Sequence, residues 1–158
     1  MIRKKILLLG DFSVGKTSLI RRYVDGSFDD KYLSTIGVKI SKKLLIMDSE
    51  EYELFIWDIE GRTPVKKIPI HYYKGASGAI FVSDVNRSET IESIQFHIDI
   101  FLGVNPSSNY VVAYNKSDLL TQYQEDDFDM PIEGFFTSAK DDKNVDKIFM
   151  TILKGMID

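Results

Sequence analysis

Apolar residues along this chain follow two alternating patterns. Residues 6–9 form a continuous apolar run that predicts a buried strand, whereas the stretch from about Lys16 to Gly26 repeats apolar residues at helical spacing. Residues 78–82 and 110–113 are further continuous runs, which suit strands covered on both faces. Frequent switching between strand and helix spacing is typical of an α/β fold.

One antiparallel feature is predicted in the first half of the chain. Residues 38–46 and 52–57 are rich in β-forming residues and are separated by a short polar turn, which indicates a hairpin. We therefore expect one domain over residues 1–158. Its centre would be a six-stranded, mostly parallel sheet with one antiparallel strand, and helices would cover both faces.

Two segments of the second half predict amphipathic helices. Between Ile91 and Leu102, apolar residues recur at spacings of three and four, and Ser88 is a candidate N-cap. Between Val145 and Met156 the apolar stripe is cleaner, with Asp141 or Asp142 as its candidate cap. Both helices are predicted to pack against the sheet.

Composition and charge narrow the class of protein. The chain is 44% hydrophobic and 28% charged, as soluble globular domains are, and its formal net charge of −4 argues against nucleic acid as a partner. It contains no cysteine, which excludes disulfides and thiolate metal sites. The apolar run at residues 6–9 is too short for a signal peptide or a membrane span, and no lipidation motif is present. We therefore expect a cytoplasmic chain without a direct membrane anchor.

The strongest chemical signal lies between the first predicted strand and the first predicted helix. It matches the pattern GxxxxGK[ST] and reads Gly10-Asp11-Phe12-Ser13-Val14-Gly15-Lys16-Thr17, followed by Ser18. Glycines let successive backbone N–H groups face phosphate oxygens, Lys16 adds a positive charge to the β- and γ-phosphates, and Thr17 offers a hydroxyl to Mg²⁺. The run from Asp11 to Ser18 is therefore predicted to bind a nucleotide, with Lys16 also acting in catalysis.

A second motif follows the strand predicted at residues 110–113. Asn115-Lys116-Ser117-Asp118 would lie at a carboxyl end of the sheet, where such folds bind ligands. The Asp118 carboxylate can accept hydrogen bonds from N1–H and the 2-amino group of guanine, whereas adenine has no matching pair of donors. Asp118 as the cap of a turn is the alternative. The motif follows the phosphate motif in an order and at a distance that favour guanine binding by Asn115, Lys116 and Asp118.

Four further segments complete an ordered series. They read Tyr32-Leu33-Ser34-Thr35-Ile36-Gly37-Val38, Trp57-Asp58-Ile59-Glu60-Gly61, Tyr72-Tyr73-Lys74-Gly75-Ala76 and Ser138-Ala139-Lys140. With the two motifs above, they make nearly the whole chain resemble a small GTPase of the Ras superfamily, most similar to the Rab branch. The resemblance implies the P-loop NTPase fold and a molecular switch that binds GTP or GDP with Mg²⁺ and hydrolyses GTP. For the Rab branch it also implies a role in vesicle trafficking.

The resemblance also implies roles at the phosphate end of the site. Thr35 would bind Mg²⁺ and sense the γ-phosphate, and Asp58 would hold the metal through water. Gly61 would donate a hydrogen bond to the γ-phosphate. Groups that contact only the phosphate lost on hydrolysis are what a switch requires.

At the base end, the resemblance assigns Phe28 to flank the guanine. Ser138, Ala139 and Lys140 would close its pocket. Effector and regulatory proteins would bind through residues near 32–40 and 59–74.

The chain departs from the family pattern after the DxxG segment. Arg62 stands where glutamine usually orients the attacking water, and arginine has no acceptor with which to do so. We therefore predict slow hydrolysis, with Arg62 still in the catalytic set. The alternative is that Arg62 reaches the γ-phosphate as an internal arginine finger. Phe12 replaces a small residue and either hinders an activating partner or packs away from the phosphate.

Other functions stay open at this point. A scaffold that binds GTP or GDP without hydrolysing it is suggested by Arg62 and Phe12. A module of a larger protein is suggested by the missing lipid tail, and an ATP-dependent kinase is the weakest alternative. Neither His71 nor His97 has a partner constellation in the sequence, so both are predicted to be structural.

Overall fold

A six-stranded sheet forms the centre of the fold in the computed structural model, which describes residues 1–26, 38–59 and 68–157. Its strand order is β2-β3-β1-β4-β5-β6. Strand β2 is antiparallel to β3, and the other neighbouring pairs are parallel, as predicted. The strands are β1 (Ile2–Leu9), β2 (Val38–Met47), β3 (Glu50–Ile59), β4 (Gly78–Asp84), β5 (Asn109–Asn115) and β6 (Phe135–Phe136).

Five α-helices accompany the strands in the described residues. They are α1 (Lys16–Asp25), α2 (Ser88–Glu92), α3 (Ile94–Val104), α4 (Gln122–Asp126) and α5 (Val145–Ile157). Single 3₁₀ turns lie at Ile70–Tyr72 and Ser117–Leu119. In the part of the chain that the structure describes, every helix is too short or too polar to span a bilayer.

Two hydrophobic cores lie on opposite faces of the sheet. On one face α1 and α5 pack together, and the rings of Tyr23 and Phe149 stack with centroids 3.9 Å apart. On the other face α3 packs on β4, where Phe101 meets Phe81 edge to face at 5.8 Å. The prediction of helices on both faces is therefore confirmed. Because both faces are covered, the central strands are continuous apolar runs.

The helical segment after β4 differs from the prediction. It forms two helices that meet at Ser93, and α2 begins at Ser88 with Arg87 in the cap position. Ser88 is therefore the first helical residue and not the N-cap. The hydroxyl of Thr90 fixes this start, since it accepts from the N–H of Asp84 at 2.9 Å and donates to the carbonyl of Arg87 at 2.7 Å.

The start of α5 also differs from the prediction. The helix begins at Val145, so neither Asp141 nor Asp142 caps it. These residues lie in a turn, where the N–H of Asp141 donates to Ser138 Oγ at 3.0 Å and Asp142 has a φ of 55°. Asp141 is thus bonded to Ser138 within the turn and does not cap the helix.

Candidate nucleotide site

The predicted motifs converge at one edge of the sheet. Strands β1, β3, β4, β5 and β6 run parallel, so their carboxyl ends share that edge. The loop of residues 10–15 follows β1, Asp58 lies near the end of β3, Asn115 ends β5, and Ser138 lies two positions after β6. This is the edge at which open α/β sheets bind ligands.

Two glycines are required by the shape of the phosphate loop. Gly10 has a φ of 153°, and a Cβ there would collide with the carbonyl oxygen of Val82. Gly15 has a φ of 101°, and a Cβ there would collide with the amide nitrogen of Asn115. The strand and the base motif beside the loop therefore leave room only for glycine at these positions.

Lys16 holds the first part of the loop from within. Its Nζ donates to the carbonyl oxygens of Gly10 at 3.0 Å and Asp11 at 2.9 Å, and the residue is buried. An ammonium has three N–H donors, so Lys16 can contact the loop and a phosphate oxygen together.

Three donors at or just beyond the carboxyl ends of β4 and β5 hold the next part. Each donates to the carbonyl oxygen of one loop residue. The pairs are Arg87 with Phe12 at 2.7 Å, Lys116 with Ser13 at 2.9 Å, and Asn115 with Val14 at 2.9 Å. Side chains thus bind every carbonyl oxygen from residue 10 to residue 14. Because these oxygens are engaged, the loop is fixed in a form whose N–H groups can serve an anion at the start of α1.

Thr17 and Asp58 form an oxygen-rich pair at the start of α1. Thr17 Oγ1 donates to Asp58 Oδ2 at 2.5 Å, and Asp58 is buried at the end of β3. Both line a cavity of about 270 Å³ between α1, β2 and β3. Mg²⁺ prefers oxygen ligands of this type. Within the described ranges, no three His, Asp or Glu side chains form a cluster that could hold a metal ion.

The base motif is also held by Thr137, which directly follows β6. Asn115 is buried, and its Oδ1 accepts from Thr137 Oγ1 at 2.9 Å while its Nδ2 binds Val14. Lys116 takes a left-handed conformation with a φ of 63°. The Asn115 side chain is therefore fixed against the phosphate loop, because both its oxygen and its nitrogen are hydrogen-bonded.

Asp118 meets the third predicted segment. Its Oδ1 accepts a hydrogen bond from Ser138 Oγ at 2.8 Å. A carboxylate has about four acceptor positions, so this bond leaves capacity for the two donors of a guanine edge. On the other side, Arg22 of α1 donates to the carbonyls of Ala139 at 2.7 Å and Lys140 at 2.9 Å. Residues 138–140 are thus joined to α1.

Several predicted site residues lie outside the described ranges. Phe28 and Thr35 fall in residues 27–37, and Gly61 and Arg62 fall in residues 60–67. Their roles at the base, the metal and the γ-phosphate stay predictions.

The buried carboxylate of Asp84 is a site component that sequence reasoning missed. Its Oδ2 lies 3.3 Å from Arg87 Nε and 3.2 Å from Lys116 Nζ. It therefore aligns two cations that both grip the phosphate loop. Arg87 lies only three residues after Asp84, whereas Lys116 follows β5, and only the fold brings both cations to the same carboxylate.

His97 has partners in the structure that the sequence did not reveal. Its Nε2 lies 2.9 Å from Asp11 Oδ1, and Ser93 Oγ donates to Asp11 Oδ2 at 2.7 Å. Partial burial alone would raise the pKa of Asp11, but these hydrogen bonds and the charge of Lys16 hold that pKa below its ordinary value. Asp11 is therefore an ionised anchor between the phosphate loop and α3.

Comparison with known proteins agrees with this geometry. The sequence model of the Ras family matches residues 5–158. The chain is 34% identical to Ras-related protein Rab-1C of Dictyostelium discoideum, with 94% of this chain and 78% of the relative covered. It is 33% identical to Ras-related protein SEC4 of Saccharomyces cerevisiae, covering 95% and 73%, and 35% identical to Ras-related protein RIC1 of Oryza sativa subsp. japonica, covering 94% and 77%. The chain therefore belongs to the Ras family, among its Rab-like members, and is a GTP-binding switch GTPase.

Proposed function

We propose that this chain binds GTP and GDP with Mg²⁺, hydrolyses GTP slowly, and binds partner proteins in a manner that depends on the nucleotide. The observation that carries the proposal is the joining of the phosphate loop to the base motif. Asn115 and Lys116 donate to the carbonyls of Val14 and Ser13, both at 2.9 Å. The phosphate loop and the base motif are therefore joined by direct hydrogen bonds, which supports their acting together on one nucleotide.

Guanine selection rests on Asp118. Ser138 holds one of its oxygens, so the carboxylate is oriented before the base arrives. A site built to accept two N–H donors discriminates strongly against a base that lacks them, because the acceptor is then left unsatisfied. This supports GTP and GDP over the adenine nucleotides.

Thr17 and Asp58 are the described residues that fit a magnesium ion. Their oxygens lie 2.5 Å apart beside the phosphate loop, and they offer the hard ligands that Mg²⁺ selects. Thr35 is the proposed third contributor. A bound Mg²⁺ would offset the negative charge of the phosphates during transfer.

Partner binding is proposed through residues near 32–40 and 59–74. Three described side chains at the borders of these segments form an apolar surface that supports this. Ile40 lies opposite Trp57 on β2 and β3 and is 47% exposed, and the Trp57 and Tyr72 rings lie 6.2 Å apart. Apolar surface of this kind beside polar residues is typical of interaction sites.

Slow hydrolysis follows from Arg62, which cannot accept a hydrogen bond from the attacking water. The second candidate function, a scaffold that holds GTP without cleaving it, is favoured by the same residue. Phosphate release over many turnovers separates the two. Sustained release supports the slow GTPase, whereas no phosphate release above a protein-free control supports the scaffold.

The proposed nucleotide chemistry is tested by identifying what the protein carries. Purified protein is denatured and its released nucleotide separated by chromatography, and the emptied protein is titrated with guanine and adenine nucleotides, with and without Mg²⁺. We expect GDP or GTP in the released fraction and a guanine preference of about 10⁴ or more. Equal affinity for ADP and GDP in the presence of Mg²⁺ would overturn the proposal.

A further inference from the structure

The outer side of the phosphate loop is contacted by a set of residues that lies in none of the nucleotide-binding motifs. We call this set the outer brace; it consists of Asp84, Arg87, Ser93 and His97. These residues lie between the end of β4 and the first turn of α3. They act on two successive residues of the loop, Asp11 and Phe12.

Arg87 forms one arm of the brace. Its Nη2 donates to the Phe12 carbonyl at 2.7 Å, and its Nε donates to Asp84 Oδ2 at 3.3 Å. The other oxygen of Asp84 accepts from the N–H of Asn86 at 2.9 Å. The planar guanidinium is therefore fixed at two of its nitrogens, and charge-assisted bonds of this type are stronger than neutral ones.

His97 and Ser93 form the other arm. They bind the two oxygens of the Asp11 carboxylate at 2.9 Å and 2.7 Å. The side chain of His97 is 9% exposed and that of Asp11 is 27% exposed, so water competes weakly for this pair. The carbonyl of Asp11 accepts from Lys16 Nζ at 2.9 Å. A chain of contacts thus runs from α3 through Asp11 to the lysine of the phosphate motif.

We propose that Arg87 and His97 are positioning residues that keep the phosphate loop in its binding shape and so slow the release of nucleotide. This inference rests on the proposed binding of GTP and GDP. A loop held in place beforehand loses little freedom when the phosphates bind, and a loop released from its brace loosens its grip on them. Within one binding site, such changes affect dissociation more than association.

A purely structural role for the brace predicts a different result. In that case its variants would lower the melting temperature, and the rate of nucleotide release would not depend on whether residue 97 donates a hydrogen bond to Asp11. His97→Gln and His97→Phe separate the two roles. Glutamine keeps a terminal N–H donor for the carboxylate, whereas phenylalanine fills a similar space without any donor.

The test measures release of a fluorescent GDP from the Mg²⁺ complex into excess unlabelled GDP, together with the melting temperature of each protein. We expect about ten-fold faster release from His97→Phe and Arg87→Met, with association rates nearly unchanged. His97→Gln should recover most of the slow release. Gln95→Ala is the matched control, because Gln95 also lies on α3 and its side-chain amide donates to Asp99 at 2.8 Å at an exposed position.

Ser93→Ala is the second variant for the His97 arm, in case His97→Phe folds poorly. It removes one donor to Asp11, and we expect about three-fold faster release. Wild-type release rates in both His97→Phe and Arg87→Met, or in both Ser93→Ala and Arg87→Met, would overturn the proposal. Equally fast release from His97→Gln and His97→Phe would also overturn it. If the wild-type protein retained no GDP, the proposed nucleotide binding would be contradicted, and the proposed role of the outer brace would fail with it.

Discussion

The side-chain amide of Asn115 donates to the carbonyl oxygen of Val14 at 2.9 Å, although the two residues are 101 positions apart. The neighbouring Gly15 approaches the same amide so closely that a Cβ has no room. The phosphate motif and the base motif therefore interlock, and a change on either side displaces the other.

Gly15→Ala is expected to disrupt both motifs. The new methyl group would meet the Asn115 amide, and the φ of 101° strains any residue with a Cβ. We expect the free energy of unfolding to fall by about 2 kcal/mol, with a loss of GDP affinity of about a hundred-fold or more. Urea unfolding and GDP titration measure the two effects.

Gly103→Ala is the matched control for that substitution. Gly103 lies within α3, and a Cβ there meets nothing within 4 Å. Alanine is the better helix former, so this variant should be more stable by up to about 1 kcal/mol. Similar losses of affinity in both variants would contradict the interlock.

Asp118→Asn is expected to exchange guanine for xanthine. The amide keeps one acceptor for N1–H, while its new N–H donor matches the 2-oxo group of xanthine and opposes the 2-amino group of guanine. Affinity for GDP should fall by about a hundred-fold, and affinity for xanthosine diphosphate should rise. Competition binding measures the ratio. Asp127→Asn, at an exposed position after α4, is the control, and an unchanged preference in Asp118→Asn would mean that this carboxylate does not contact the base.

Arg62→Gln is expected to speed the hydrolysis of bound GTP by about ten-fold or more. Glutamine supplies the acceptor that arginine lacks, and so can orient the attacking water. Single-turnover hydrolysis after loading with GTP gives the rate. A sharply slower rate would favour Arg62 as an internal finger, and an unchanged rate would mean that the residue does not position the water.

Burial of two tyrosines predicts a loss of stability at high pH. It raises the pKa of Tyr23 to about 12, with a further contribution from the charge of Asp146, and raises the pKa of Tyr73 to about 12. The unfolded chain ionises these phenols near their ordinary value of about 10. Their contribution to stability is therefore complete below about pH 10 and is lost as the pH rises toward about 12.

Unfolding by urea between neutral pH and about pH 12, followed alongside tyrosinate absorbance, measures this effect. Tyr23→Phe should lose less stability than the wild type across the alkaline range, because it has one buried phenol fewer to ionise. Tyr123→Phe is the control, since Tyr123 is 80% exposed. Identical alkaline profiles for the wild type and Tyr23→Phe would contradict the assignment.

The sequence was sufficient to predict the sheet and the two binding motifs because their signals are local. A continuous apolar run marks each central strand, and the spacing from Gly10 to Thr17 determines the turn and the helix that follow. Helix starts were predicted less well. Ser88 and Asp141 are good caps by residue type, but other short-range hydrogen bonds, between Asp84 and Thr90 and between Asp141 and Ser138, fix where the chain turns.

The outer brace was not predictable from local patterns. Arg87 and Phe12 are 75 positions apart, and His97 and Asp11 are 86 apart. Such pairs carry no periodic signal, because only the folding of β4 against β1 brings them together. An isolated histidine in an amphipathic helix suggests packing, and the carboxylate opposite it becomes visible only in three dimensions.

Gly10 illustrates how a motif position can be dictated by the scaffold alone. The backbone of Val82 excludes every larger residue there, whether or not a ligand ever arrives. A homologue that no longer binds nucleotides, with Lys16 and Asp118 replaced, would still need this glycine for β1 to pack beside β4. Scoring that position in a survey of homologues therefore diagnoses shared architecture, and only the charged positions diagnose retained activity.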